Sequence, residues 1–161
     1  MDHLWSPWRY QYVQKTAPEP GCVLCRIVRE TDADERNLVV LRGVRNLIVL
    51  NRYPYTTGHL MVVPYEHVDT LDAAKVETLE EMIRLASDAQ KRLRAVYRPG
   101  GFNIGMNIAE SAGAGIADHI HLHVLPRWPG DTNFMTTVAE TRVLPEDLDV
   151  TYRKLKEAFG A

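Results

Sequence analysis

The chain is short of cysteine, of charge of one sign and of long apolar runs, and each shortage excludes a class of protein. Only two of 161 residues are cysteine, in Cys22-Val-Leu-Cys25. A bridge between them would close too small a loop to stabilise a chain of this size, so a disulfide scaffold is excluded and a reducing, cytoplasmic setting is expected. No stretch approaches the roughly 18 apolar residues of a membrane-spanning helix, and Met1 to Gln14 has no continuous apolar segment, so no membrane association and no secretion signal are expected. The formal charge is −2 and the pI about 6.3. Such a balance provides no general field for gripping a nucleic-acid backbone, although local dipoles can still hold a small phosphorylated ligand. Internal repeats and low-complexity tracts are also missing.

What is present fits one domain over residues 1–161, because 45% of the residues are hydrophobic and the length suffices for one sizeable core. Residues 1–21 read as an aromatic arm, with Trp5, Trp8 and Tyr10 before the breaker-rich Ala17-Pro-Glu-Pro-Gly21; residues 22–161 form the core. Leu38–Leu41, Leu47–Leu50 and Leu60–Val63 read as three antiparallel strands, separated by turn signals at Arg42-Gly43 and at Tyr53-Pro54 to Gly58. From Ala73 to Arg98, Val76, Leu79, Ile83, Ala86, Leu93 and Tyr97 recur at helical steps, predicting a long amphipathic helix that ends at Pro99-Gly-Gly101. Gly101–Ile108 and His119–Leu125 alternate strictly and predict a hairpin-like strand pair across the Ser111-Ala-Gly-Ala-Gly115 loop. Pro145-Glu-Asp147 predicts the start of a C-terminal helix through Phe159. The class is α+β, a mostly antiparallel sheet of about five strands with helices packed on it.

Five of the six histidines are His59, His67, His119, His121 and His123, and three of these alternate along one predicted strand. Alternation sends His119, His121 and His123 to one face, with Ile120, Leu122 and Val124 on the other. Neighbouring rings then stand roughly 7 Å apart. Three such rings on a straight strand cannot share one metal at about 2 Å, so they are expected to have different tasks. The competing reading is a polar, solvated strand face.

His119-Ile-His-Leu-His-Val-Leu125 resembles the signature of the histidine-triad (HIT) family. The resemblance extends from Trp5 through Phe159. Asn51–Leu60 with Val62-Val-Pro64 is similar to the nucleotide-facing segment of its dinucleoside polyphosphate hydrolases. Leu4–Arg9, Gly101-Phe-Asn103 and Pro126–Phe134 look most like its bacterial diadenosine tetraphosphate phosphorylase branch. The resemblance implies a HIT-like fold, commonly dimeric, and an enzyme of nucleotidyl transfer. It casts His121 as the nucleophile that takes a nucleotidyl group onto its ring, and His123 as a contact to phosphate and leaving group. His59 is a fourth histidine beside them, or a hydrogen-bonded structural one. Asn51 matches a ribose contact, with a turn residue as the alternative. Asn107, Ser111, Gly113 and Gly115 match a phosphate-binding loop, with a plain hairpin loop as the alternative. Gly115 stands where many members carry glutamine, so main-chain N–H groups or Ser111 would have to replace that contact.

Cys-x-x-Cys alone is ambiguous between metal and redox chemistry. In zinc-bearing relatives the cysteine pair joins a histidine after a strand-ending proline and the first triad histidine. The resemblance therefore implies a closed, structural zinc site of Cys22, Cys25, His67 and His119. A redox motif fits less well, since Pro20-Gly21 precedes the pair without a thioredoxin-like strand-to-helix context. The implied reaction is phosphorolysis of a dinucleoside polyphosphate. Its alternatives are hydrolysis of such a compound or of a nucleoside phosphoramidate, and a nucleotide-binding sensor with little turnover.

Overall fold

The computed structural model describes residues 21–132 and 144–160. The aromatic arm through residue 20, and Asn133 and Phe134, lie outside the described residues. In chain order the elements are helix α1 (Val23–Arg29), helix α2 (Asp34–Asn37), strand β1 (Val39–Arg42), strand β2 (Asn46–Leu50) and strand β3 (Leu60–Pro64). Helix α3 (Val76–Tyr97), strand β4 (Gly101–Gly105), strand β5 (Leu122–Arg127) and helix α4 (Leu148–Phe159) follow. The strands form one antiparallel sheet in the order β1-β2-β3-β5-β4. This is the expected α+β architecture. No helix among the described residues is long and apolar enough to cross a membrane.

β2 is buried at every position and β3 at all but Met61, as befits neighbours in the middle of a covered sheet. α3 packs on β2, β3 and β5, and α4 packs on α3 and β1. The buried stripe of α3 is Thr78, Glu81, Met82, Leu85, Ala86, Ala89 and Leu93. That corrects the expected stripe, because Val76 is 66% and Ile83 62% exposed. Small residues at Ala86 and Ala89 let the helix approach the sheet along that line, and tertiary packing overrides the stronger apolar character of Val76 and Ile83.

Two strand boundaries also differ from expectation. β4 stops at Gly105 rather than Ile108, and β5 begins at Leu122 rather than His119. β3 pairs with β5 through Leu60↔Val124, Met61↔His123 and Val62↔Leu122. Two positions further β3 ends at Pro64, which has no N–H to offer a ladder, and the Ile120 N–H turns instead to the Val68 carbonyl at 2.8 Å. His119 and His121 therefore sit just outside the sheet. α1 and α2 were not anticipated, being too short to display a helical period.

Gly58 has φ +77°, and a Cβ there would lie 2.9 Å from Leu93 Cδ2. Glycine is required on both counts: it lets the chain close on α3, and the ring of the following residue, His59, then lies against His123 on the opposite face of the sheet.

The β1–β2 turn is held by a buried carboxylate. Glu81 accepts the Val44 N–H at 2.9 Å, the Arg45 N–H at 2.7 Å and Asn46 Nδ2 at 2.9 Å. Burial alone would raise its pKa, but these donors outweigh it and hold the group below the ordinary carboxylate range. A depressed folded pKa gives stability that is present above the unfolded value and lost as pH falls through the folded one. Glu81→Gln should therefore cost about 2 kcal/mol at neutral pH, with the gap from wild type narrowing below pH ~4. Urea unfolding at pH 7 and pH 3.5 measures this; a gap that widens in acid contradicts it.

Candidate active site and metal-binding cluster

Two histidine clusters meet at the start of β5. In the first, His121 is buried at 5% exposure and its Nδ1 lies 2.9 Å from the His119 main-chain carbonyl. A carbonyl only accepts, so Nδ1 carries a proton, and in the neutral ring the lone pair is on Nε2. The His123 ring stands edge-on to His121 with centroids 4.9 Å apart. This is closer than the spacing expected of a straight strand, because His121 precedes the first ladder residue.

His59 is fully buried. The Tyr55 N–H lies 3.2 Å from His59 Nδ1, which must therefore accept. The remaining proton of a neutral His59 sits on Nε2 and is donated to His123 Nδ1 at 2.8 Å. His123 in turn carries its own proton on Nε2. Burial, followed by the repulsion of neighbouring imidazoles, pushes His59 down to about 3 and His123 down to about 4. The rings are neutral at physiological pH, and each nitrogen has a defined role.

Asn51 serves the same arrangement from the end of β2. Its Oδ1 accepts the Tyr53 N–H at 3.0 Å, which directs Nδ2 toward His59 Nδ1 at 3.3 Å. Sequence reasoning had no signal for the Tyr55 contribution. Its backbone fixes the His59 tautomer while its ring packs 4.9 Å from His59 and 6.1 Å from His123.

The loop before β5 is closed on itself. Asn107 Nδ2 reaches the Gly113 carbonyl at 3.4 Å, the Gly113 N–H reaches the Glu110 carbonyl at 2.8 Å, and Ser111 lies in a single 3-10 turn, Glu110–Ala112. Gly113 has φ +83°, a conformation suited to glycine. Ser111, Gly113 and Gly115 are exposed. Arg127 is a poor anion receptor despite its charge. Its guanidinium is engaged by Asp131 at 2.6 and 2.7 Å and by Asn103 Oδ1 at 2.6 Å, at the far end of β5, about 13 Å of strand beyond His123. Trp128 packs within the chain, donating its Nε1–H to the Tyr97 carbonyl at 3.3 Å.

The second cluster gathers the four expected ligands. One donor atom from each of Cys22, Cys25, His67 and His119 lies within 4.8 Å of all the others, and together they could hold a metal ion. Cys22 caps α1 and Cys25 lies in its first turn, so the short helix presents both sulfurs. Cys25 Sγ is 3.1 Å from His67 Nδ1, while Cys22 and Cys25 Sγ are 3.4 and 3.5 Å from His119 Nδ1. The Nε2–H of His119 donates to the Pro64 carbonyl at 3.0 Å, which leaves Nδ1 as the coordinating nitrogen. Asp118, not singled out from the sequence, lies 3.8 Å from His67 Nε2.

The profile of the HIT domain matches residues 33–130, and the chain belongs to the histidine-triad family and is an enzyme of it. Among its relatives is the AP-4-A phosphorylase of Mycobacterium tuberculosis strain H37Rv, 39% identical over 161 residues, 96% of this chain and 83% of that protein. The crystal structure of a Zn-bound histidine triad family protein from Mycobacterium smegmatis superimposes with a TM-score of 0.70 at 30% identity, covering 87% of this chain and 94% of that one. A HIT family member from Bacillus subtilis, with a TM-score of 0.61 at 24% identity over 85% of this chain and 96% of its own, shares the fold.

The neutral state of His59 has a measurable consequence. Its folded pKa lies below the unfolded value of 6.5, so the unfolded chain binds more protons between those values and stability falls as pH drops from 6.5 toward 3. His59→Gln should flatten the slope of unfolding free energy between pH 6.5 and 4.5 by up to ~1.4 kcal/mol per pH unit. Denaturant titrations across that range test it, and parallel slopes for variant and wild type would refute the assignment.

Proposed function

We propose that the protein is a nucleotidyl transferase that cleaves dinucleoside polyphosphates through a covalent nucleotidyl-histidine on His121, with inorganic phosphate as the acceptor. The observation that carries the reading is the hydrogen bond from His121 Nδ1 to the His119 carbonyl, which leaves Nε2 as a fixed, unprotonated nucleophile in a buried position. With diadenosine tetraphosphate, Nε2 attacks the α-phosphorus, the bond from that phosphorus to the bridging oxygen breaks, and ATP departs with the electron pair. Adenylate remains on His121. Phosphate oxygen then attacks the same phosphorus, the P–N bond breaks, and ADP leaves as His121 regains its lone pair.

The remaining residues orient rather than titrate. The positive charge on the His121 ring in the intermediate is balanced by the His119 carbonyl at Nδ1. His123, neutral and protonated on Nε2, donates a hydrogen bond to a phosphate oxygen. A polyphosphate leaving group is stable as an anion near neutrality, so no strong acid is needed. Asn51 supports the His59–His123 pair and is also proposed to offer an edge to ribose. Asn107, Ser111, Gly113 and Gly115 are proposed to line the path of the polyphosphate, with the Ser111 hydroxyl and main-chain N–H groups not already bonded within the loop as donors. The preference for phosphate over water rests on the likeness to the mycobacterial AP-4-A phosphorylase.

The four-residue cluster is proposed as a structural zinc site. Two thiolates and two imidazoles are the donor set zinc prefers, and bonds of about 2.3 Å to sulfur and 2.0 Å to nitrogen imply sulfur–nitrogen separations of about 3.6 Å across a tetrahedron. The observed 3.1 to 3.5 Å lies close to that. With four protein ligands no position remains for a reacting water, so bound zinc would supply rigidity and no chemistry. We assign the functional form as a cytoplasmic homodimer, to be checked by sedimentation.

Incubation with diadenosine tetraphosphate at varied phosphate tests the reaction. ADP plus ATP, formed at a rate that saturates with phosphate, is expected; AMP plus ATP at a rate indifferent to phosphate means a hydrolase. His121→Ala should retain under about 1% of turnover while substrate affinity stays within about tenfold, since a nucleophile acts mainly beyond the ground state. Elemental analysis of protein purified without chelator should read close to one zinc per chain, falling in step with thermal stability in Cys25→Ser.

A further inference from the structure

The residue that completes the metal cluster is also the residue that holds the nucleophile. His119 directs ring Nδ1 at Cys22 and Cys25 Sγ, at 3.4 and 3.5 Å, and its own carbonyl oxygen accepts the His121 Nδ1–H at 2.9 Å. The next residue is tied to the same region, since the Ile120 N–H donates to the carbonyl of Val68, the neighbour of His67. Strand pairing begins only at Leu122, opposite Val62. His121 is thus held on its C-terminal side by the sheet and on its N-terminal side by two attachments to the Pro64–Val68 segment and the thiol pair.

We propose that the metal-binding cluster is the positioning element of the nucleophile, with its occupancy setting the orientation of His121 through the His119 main-chain carbonyl. This rests on the zinc site and on the role of His121 proposed above. His119 is a positioning residue here and does not touch the substrate. With the metal bound, its ring is fixed at both nitrogens, by the ion and by the Pro64 carbonyl at 3.0 Å, and the peptide that receives the His121 proton is fixed with it. With the metal withdrawn, only the Pro64 bond restrains the ring, and the peptide that carries the carbonyl keeps the Ile120 N–H bond to Val68 as its sole tie to that segment, so the carbonyl is freer to shift from His121. In-line attack tolerates little displacement, and a shift of ~1 Å can cost about a hundredfold in rate. Substrate binding draws mainly on other residues and should change little.

The test compares the full-length zinc-bound protein, the same protein after treatment with a competing chelator, and the chelated protein with zinc restored. Amide hydrogen exchange is read at Ile120 and His121, and at Ile48 and Val49 in β2. Chelation is expected to speed exchange at Ile120 and His121 at least tenfold while β2 stays protected. It should lower kcat for diadenosine tetraphosphate about 30- to 100-fold with KM within threefold, and zinc should restore both. His67 is exposed, so two variants add a control that leaves the core intact: His67→Cys, which keeps four ligands, should retain slow exchange, and His67→Ala should behave as the chelated protein. Unchanged exchange at Ile120 and His121 after chelation overturns the proposal. So does loss of protection in β2 at the same time, because the cluster would then be holding the whole fold. Absence of metal from the purified protein is a separate result, seen before any chelation, and it overturns the zinc reading itself.

Discussion

The hydrogen bond from His121 Nδ1 to the His119 carbonyl is the constraint on which the proposed active site depends. It selects one tautomer of a buried imidazole, and that choice determines which nitrogen can react. A backbone carbonyl suits this task better than a carboxylate would. It accepts a hydrogen bond without competing to remove the proton, and it brings no negative charge next to the polyphosphate of the proposed reaction. The arrangement needs His119 and His121 to lie in a bent segment ahead of β5, since in a regular strand the ring of residue i does not meet the carbonyl of residue i−2 in this way. The bend arises because β3 ends at Pro64 and because the Ile120 N–H is taken by Val68.

A second set of constraints keeps the neighbouring rings neutral. His59 and His123 lie close to each other and to His121, so charge on His59 or His123 is opposed by burial and by the neighbouring imidazoles. Neutral rings can still be directional. The backbone N–H of Tyr55 enters His59, His59 passes its own N–H to His123, and the proton of His123 faces outward. The 51–59 loop that supplies this order is anchored by the Asn51 side chain at one end and by Gly58 at the other, where the absence of a side chain lets it close on Leu93.

The electrostatics of the site are consequently unlike those of a phosphate site built on arginine or lysine. Arg127, the cation nearest the triad in sequence, is committed to Asp131 and Asn103. In the proposed reaction the histidine cluster stabilises developing charge by donated hydrogen bonds of neutral groups. Such dipoles are effective in a buried setting, where little reorganisation is needed during reaction.

Much of this was legible in the sequence. The alternation of His119, His121 and His123 and the turn signals around three apolar runs pointed to the α+β class and the strand neighbours of the site, and the family resemblance supplied the set of Cys22, Cys25, His67 and His119. Those features are local, or are carried by residue types whose chemistry is distinctive. Tertiary structure alone decided the rest. Where β5 begins depends on what β3 offers it, and β3 ends on a proline whose effect extends across the sheet. The buried face of α3 follows from how closely helix and sheet approach, so Val76 and Ile83 remain outside despite their hydrophobicity. The proton positions on three histidines are set by two backbone groups, the Tyr55 N–H and the His119 carbonyl, and every residue type carries those groups alike. A sequence can specify the imidazole, but the hydrogen bond that directs its lone pair comes from main-chain atoms that only the folded chain brings within reach.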